Sequence, residues 1–540
     1  MNRRKFFFKK SATSKKPPPP PIYAPSDEYK TIICNNAYLG KKGYTIPKSL
    51  LEKDDEEFLR RDLFVKPEVH GANFGGAPEA TPFPVFRENA NKMYLPRFYG
   101  IQRYGVPHRS EIQSGDDINV TFDKPLRDYQ EDIVKVYMNY VNKDLCTNSN
   151  IKGSGGILDI YTGSGKTVMS IKIISLLKKK TLIIVHKEFL MNQWIERIEE
   201  FLTGAKIGKI QGPVFDVEGK DIVIGMVQTL YDKEYPPDAF SSFGLTIIDE
   251  VHRIGSEQFS KTLFKTITPY MLGVSATVER KDKLTKVLYM FIGEKIYSIK
   301  RDADDTVNVR GIHYKSNDTE FNETEVDFRG MPKYSTMITK LCEYGPRSDF
   351  IIRVISDLVN ENNSSQIMVL CHNRSLLTYL YDGIVHRGFA TVGYYVGGMK
   401  QDKLQQTESK QIVLATYAMA AEALDIKTLS TLVMITPKTD ITQSVGRILR
   451  MKHENPIIVD IIDNHDLFKN QWNQRKRFYK KNSYRIMEID STKYKNMEID
   501  DLWKKTYEPK EKSNVPDETD EPQHLNPIGK CVIDTSMFTS

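Results

Sequence analysis

From residue 155 the chain reads GGILDIYTGSGKTVMSIKIISLL: a strand-length apolar run, a turn with two glycines, and a helix-length apolar run. A glycine turn between strand and helix lets backbone N–H groups wrap an anion, and the helix N-terminus adds positive potential. Thr162, Gly163, Ser164, Gly165, Lys166 and Thr167 are therefore candidate phosphate-binding residues. Lys166 is placed for the β- and γ-phosphates and the Thr167 hydroxyl for Mg²⁺. The first glycine of the general GxxxxGK[ST] pattern is absent, with Ile160 in its place.

The surrounding texture fits a strand–turn–helix unit. Short apolar runs such as TLIIVH (181–186), DIVIGM (221–226), LTIIDE (245–250) and MLGVSAT (271–277) alternate with amphipathic helical stretches. Uninterrupted apolar strands between helices predict a parallel sheet covered on both faces. The rhythm returns in QIMVLC (366–371), QIVLAT (411–416), TLVMIT (431–436) and PIIVDIID (456–463), so a second α/β unit is expected, joined to the first near 300–310. In IIDEVHRIG (247–255) an apolar strand delivers two adjacent acids at its C-terminal end. That placement suits Asp249 as a Mg²⁺ ligand and Glu250 as the base that orients and deprotonates an attacking water.

Composition sets the outer limits. Five scattered cysteines without a CxxC pair argue against zinc binding and a disulfide framework, which fits a reducing compartment. No apolar run approaches the roughly 20 residues of a membrane-spanning helix, so an intracellular protein with no membrane partner is expected: nuclear, or in host cytoplasm or virion if viral. The net charge of +7 resides in residues 1–16, which hold seven Lys/Arg and no acid. This arm is read equally as solubilising or targeting and as a direct phosphate contact.

Residues 1–25 are expected to be a disordered arm ending in five prolines, and 26–118 a small accessory domain with β-like pieces such as DINVTF (117–122). The α/β units are placed at 119–303 and 304–468. From 469 a basic, aromatic extension (KNQWNQRKRFYKKNSYR, 469–485) and a flexible acidic tail to 540 are expected. The extension is read either as a stacking surface for a nucleic-acid strand or as a helix packing its aromatics on the second unit.

The quartet DEVH (249–252) followed by SAT (275–277) resembles superfamily-2 helicases. It looks most like the branch holding the XPB-type helicases, the phage recombination helicase and the transcript-release helicases of large DNA viruses. The resemblance covers about 119–465. It implies two tandem RecA-like P-loop domains with parallel sheets, plus an N-terminal accessory domain and a C-terminal extension. LRDYQEDIV (126–134) resembles the adenine-recognition segment, through Arg127 and Gln130. VHKEFLMNQWIERIEEF (185–201) and MVQTL (226–230) resemble strand-binding segments, giving Lys187 and Thr229 to the nucleic-acid backbone. Ser275 and Thr277 of SAT are implied to link the ATP state to that grip. QSVGRILR (443–450) supplies Gln443 as a γ-phosphate sensor and Arg447 and Arg450 as arginine fingers. In VLATYAMAAEALDI (413–426), Thr416 is implied to contact the strand and Asp425 the nucleotide; Ala423 stands where the family usually has glycine. His372 and Arg374 of QIMVLCHNRSLL are further candidates for the second unit's strand contact.

The implied activity is ATP hydrolysis with Mg²⁺, coupled to movement along nucleic acid. DNA is favoured over RNA, with 3′-to-5′ polarity. A translocase that releases transcripts or displaces RNA or protein is the alternative, and a non-hydrolysing nucleic-acid-binding scaffold the reading from another class. Implied partners are nucleic acid and transcription or replication proteins, with the chain acting as a monomer or in a transient complex.

Overall fold

The computed structural model describes residues 23–67, 81–143, 151, 153–161, 163–251, 256–276, 278, 284–299, 307–422, 426–449, 451 and 453–509. Residues 1–22 of the basic arm and 510–540 of the tail lie outside these. Two eight-stranded sheets form the body. In the first, the strands run in the spatial order Val214–Phe215, Ile207–Gln211, Ile222–Met226, Thr181–Val185, Leu245–Asp249, Tyr270–Ser275, Gly155–Ile160, Lys295–Ile299. All pairs are parallel except that made by Val214–Phe215. Thr181–Val185 and Leu245–Asp249 are buried at every position, as a strand covered on both faces must be. The strand Gly155–Ile160 is separated from Thr181–Val185, its successor in the chain, by two others. This reversal opens a crevice at the C-terminal edge of the sheet, where open α/β folds bind ligands.

The second sheet has the order Val392–Tyr395, Ile412–Thr416, Gln366–Cys371, Leu429–Met434, Ile457–Asp463, Asn308–Tyr314, Arg485–Asp490, Lys504–Tyr507. It is parallel up to its last strand, Lys504–Tyr507, which pairs antiparallel. Each sheet is thus largely parallel, as expected for a RecA-like unit. Two buried ion pairs tie the second together. Arg347 bonds Asp463 at 2.6 and 2.8 Å, and Arg475 bonds Asp460 at 2.7 and 2.9 Å.

Residues 27–67 and 81–110 form a five-stranded, mostly antiparallel sheet and a separate two-stranded one, with three α-helices. Their hydrophobic core is continuous with that of the first lobe, running from Tyr29 to Ile292. Arg97, 2% exposed, donates to the carbonyls of Gly153, Thr268 and Pro269 across the junction.

Two expectations need correction, and one open alternative is decided. DINVTF is not a strand of the accessory domain: it makes one isolated bridge, Asp117 with Lys179, while Ile118 and Val120 join the first lobe's core. Of the two readings of 469–485, the helix packing its aromatics inward holds. The stretch belongs largely to the helix Asp466–Lys481, and Trp472, Tyr479 and Tyr484 are at most 6% exposed, so their rings face the second lobe's core rather than bases. The second sheet continues past 468, because Arg485–Asp490 pairs with Asn308–Tyr314. Among the described residues, no helix is long and apolar enough to cross a membrane.

Candidate functional site

The glycine turn leaves its strand at Tyr161 and enters the helix Lys166–Leu177. Gly163 and Gly165 both have φ of +90°, the left-handed region that glycine adopts without steric cost. A Cβ on Gly165 would lie 2.3 Å from Gln130 Nε2, so the turn is tight as well as left-handed. Gln130 Nε2 donates to the Ser164 carbonyl at 2.7 Å, and the Tyr129 hydroxyl donates to the same oxygen at 2.9 Å. Gln130 Oε1 accepts from the Arg127 backbone N–H at 3.0 Å. The Gln130 amide, expected to read an adenine edge, thus braces the phosphate turn against the start of the helix Asp128–Val141. Arg127 caps that helix from an exposed position. Thr167 sits half-buried in the first turn of the helix that begins at Lys166.

Lys166 Nζ lies 3.0 Å from Glu250 Oε1. Glu250 has φ of +49°, a left-handed conformation that costs a non-glycine residue about 1–2 kcal/mol. Its backbone N–H donates to Asp249 Oδ1 at 2.9 Å. Asp249 Oδ2 accepts from the indole Nε1 of Trp194, also at 2.9 Å. Burial, together with the charge of Glu250, pushes the Asp249 carboxyl up to about 6, against the pull of Lys166 and the Trp194 bond. A buried carboxylate beside a second carboxylate is the electrostatic setting a divalent cation relieves. Asp249 and the Thr167 hydroxyl are oxygen donors suited to a hard ion.

The other first-lobe candidates line the same sheet edge. Lys187 is the N-cap of the helix Glu188–Phe201. Thr229 follows the neighbouring strand, and its hydroxyl accepts from the Gly212 N–H at 3.0 Å. Gln228 Nε2 bonds the His186 carbonyl at 3.1 Å, joining the two expected strand-binding segments. Ser275 ends its strand fully buried.

In the second lobe, Thr416 closes the strand Ile412–Thr416, half-buried beside Cys371. Gln443 and Arg447 lie on the helix Thr442–Ile448, half-buried and 5% exposed respectively. His372 Nδ1 is 2.8 Å from the Thr436 hydroxyl, and burial pushes its pKa down to about 4. It is therefore neutral at pH 7 and unsuited to holding a phosphate by charge. Arg374 bonds the Gly397 carbonyl. Thr162, Thr277, Asp425 and Arg450 lie outside the described residues.

The structure thus brings Gln130, Ser164, Gly165, Lys166, Asp249 and Glu250 together at one sheet edge. Sequence reasoning missed the polar roles of Trp194 and Tyr129; the spacing of Leu190, Trp194 and Ile198 signals only a buried helix face.

The chain is similar in sequence to several known proteins. A family model described as "Type III restriction enzyme, res subunit" matches residues 123–280. The protein L396 of Acanthamoeba polyphaga mimivirus, which bears an ATP-dependent RNA helicase name, is 32% identical over 453 residues, covering 82% of this chain and 85% of its own. QP509L of African swine fever virus, named in the same way, is 26% identical over 363 residues, or 62% and 70% of the two chains. The "DNA 3'-5' translocase XPB2" of Sulfurisphaera tokodaii is 34% identical over 208 residues, or 37% and 43%. Among solved structures, T4 UvsW aligns over 82% of this chain and 96% of its own at 18% identity, with a TM-score of 0.32.

Proposed function

Because this chain belongs to the superfamily-2 ATP-dependent helicases, we propose that it hydrolyses ATP to move 3′ to 5′ along a DNA strand. The observation that supports its hydrolytic part is the meeting of Lys166 with Glu250 at 3.0 Å, beside a buried Asp249, at the edge of a parallel sheet.

In the cycle we envisage, Thr162, Gly163, Ser164 and Gly165 cradle the triphosphate, and Lys166 turns from Glu250 to its β- and γ-oxygens. Released from that ion pair, Glu250 takes the proton of the attacking water. Asp249 and Thr167 would hold Mg²⁺, which when bound neutralises charge on the phosphate oxygens during phosphoryl transfer. Arg127 and Gln130 face the base, the latter after leaving Ser164. Arg447 and Arg450 close from the second lobe onto the γ-phosphate, with Gln443 sensing it and Asp425 steadying the nucleotide. Lys187, Thr229, Ser275, Thr277 and Thr416 carry the strand grip and its coupling to the nucleotide. A hydroxyl that accepts one bond, as Thr229 does from Gly212, still has a proton to give a phosphate. Loss of the γ-phosphate removes the ion pairs that favour closure, and the lobes part.

DNA and polarity are supported by the name of the archaeal relative. RNA is the second reading, favoured by the helicase names of the viral relatives, of which L396 spans most of this chain. ATPase stimulation by single-stranded DNA, duplex, forked DNA and RNA decides between them, and a translocation assay on end-labelled strands reads polarity. Stronger stimulation by RNA than by any DNA overturns the DNA assignment.

A further inference from the structure

The helix Glu188–Phe201 touches three parts of the molecule. Its N-cap is Lys187, in the expected strand-binding segment. Phe189, in its first turn, packs against the cores of both lobes. Trp194, 1% exposed, places its indole Nε1 2.9 Å from Asp249 Oδ2. The strands that feed the helix and Asp249 are bonded neighbours in register, Ile184 opposite Ile248, so their bases are fixed relative to one another. The indole bond joins their tips. Leu190, Met191 and Ile198 of the same helix are buried with Trp194.

A ring packed here for its volume alone would need no polar edge. The indole contributes one N–H, and that N–H is directed at the acid placed to hold the metal. The competing account is that a buried indole found the nearest acceptor.

We propose that Trp194 is a positioning residue: it transmits strand engagement at Lys187, and second-lobe contact at Phe189, to the placement of Asp249. The proposal rests on the superfamily-2 motor reading. It gives Trp194 no contact with the reacting atoms.

Linkage supplies a test that reads binding rather than turnover. If nucleotide and strand sites are coupled, each changes the other's affinity by the same factor. Oligonucleotide Kd is measured by fluorescence anisotropy with and without Mg²⁺ and a non-hydrolysable ATP analogue. The wild-type ratio of the two values is expected to differ from one by about fivefold or more. Trp194→Phe keeps an aromatic ring at this buried position and removes the N–H together with the five-membered ring; it should melt cooperatively and bind oligonucleotide without nucleotide within about twofold of wild type, while the ratio collapses toward one. Phe189→Ala, at a half-buried position that leaves the indole bond in place, should show the same collapse. A wild-type ratio retained in both variants overturns the proposal and leaves the motor reading standing. A wild-type ratio of one, with no stimulation of ATPase by any nucleic acid, removes both.

Discussion

Lys166 Nζ and Glu250 Oε1 stand 3.0 Å apart, so the cation of the glycine turn and the acid at the strand end neutralise each other. A triphosphate must compete for that lysine, and in doing so it frees the acid. Glu250→Gln should therefore bind nucleotide at least as well as wild type and lose about 10²–10⁴-fold in hydrolysis, the range a positioned general base contributes. Fluorescent-nucleotide titration and single-turnover hydrolysis check the two halves. Unchanged turnover would remove Glu250 as the base.

Gly165 carries a second expectation. Alanine there must hold a left-handed φ of +90° and place its Cβ 2.3 Å from Gln130 Nε2. The conformational cost of about 1–2 kcal/mol corresponds to roughly a tenfold loss of nucleotide affinity if it falls on the phosphate turn. Calorimetric titration of Gly165→Ala should show this with the far-UV spectrum unchanged. Wild-type affinity would mean that the turn opens before it binds.

The acid pair makes stability depend on pH in an unusual direction. Burial and Glu250 raise the Asp249 carboxyl from 3.8 to about 6 in the folded protein. The folded state then binds the proton more tightly than the unfolded chain, so this group's contribution is fully present below about 4 and is lost as pH rises through about 6. Without nucleotide, Asp249→Asn should be more stable than wild type at pH 8, with the advantage gone at pH 4, and should be inactive as an ATPase. Denaturant unfolding at the two pH values measures this; equal differences at both would refute it.

In the second lobe, Arg347 and Asp463 are both fully buried and joined by two bonds, with a third from Arg347 to the Ile435 carbonyl at 2.7 Å. Removing one member strands a charge, which typically costs about 3–5 kcal/mol. Arg347→Met should lower the melting temperature sharply, and adding Asp463→Leu should restore much of it. If the double variant melts no higher than the single one, the carbonyl bonds of Arg347 matter more than its ion pair.

The parts legible in the sequence are those whose signal is local. Leu245, Ile247 and Ile248 had to be apolar because both faces of their strand are covered, and the glycine turn and acid pair each sit within a few residues of a strand end. What stayed hidden depends on distance in three dimensions. DINVTF alternates like a strand, but alternation reports burial of Ile118 and Val120 and says nothing of whether a partner strand lies alongside. In 469–485 the mixture of basic and aromatic residues left a stacking surface and an inward-packing helix both open. Arg475 is 1% exposed because Asp460 waits in the adjacent layer, and Trp472 and Tyr479 turn inward with it. The Gln130 amide has hydrogen-bonding capacity that suits a base edge, and only the fold reveals that the Ser164 carbonyl takes its donor. No pattern of spacings could point the Trp194 indole at Asp249.

The core shared by residues 27–67 and 81–110 with the first lobe has a mechanical consequence. Arg97 anchors in the Gly153, Thr268 and Pro269 carbonyls, and the apolar cluster passes from one unit to the other without a break. A unit fused in this way cannot swing as an independent arm. It adds mass and surface to one jaw, so an opening and closing stroke would fall to the other jaw and its tether. A fragment cut at residue 119 would not be a smaller engine but half of a split core, with apolar surface laid open to water.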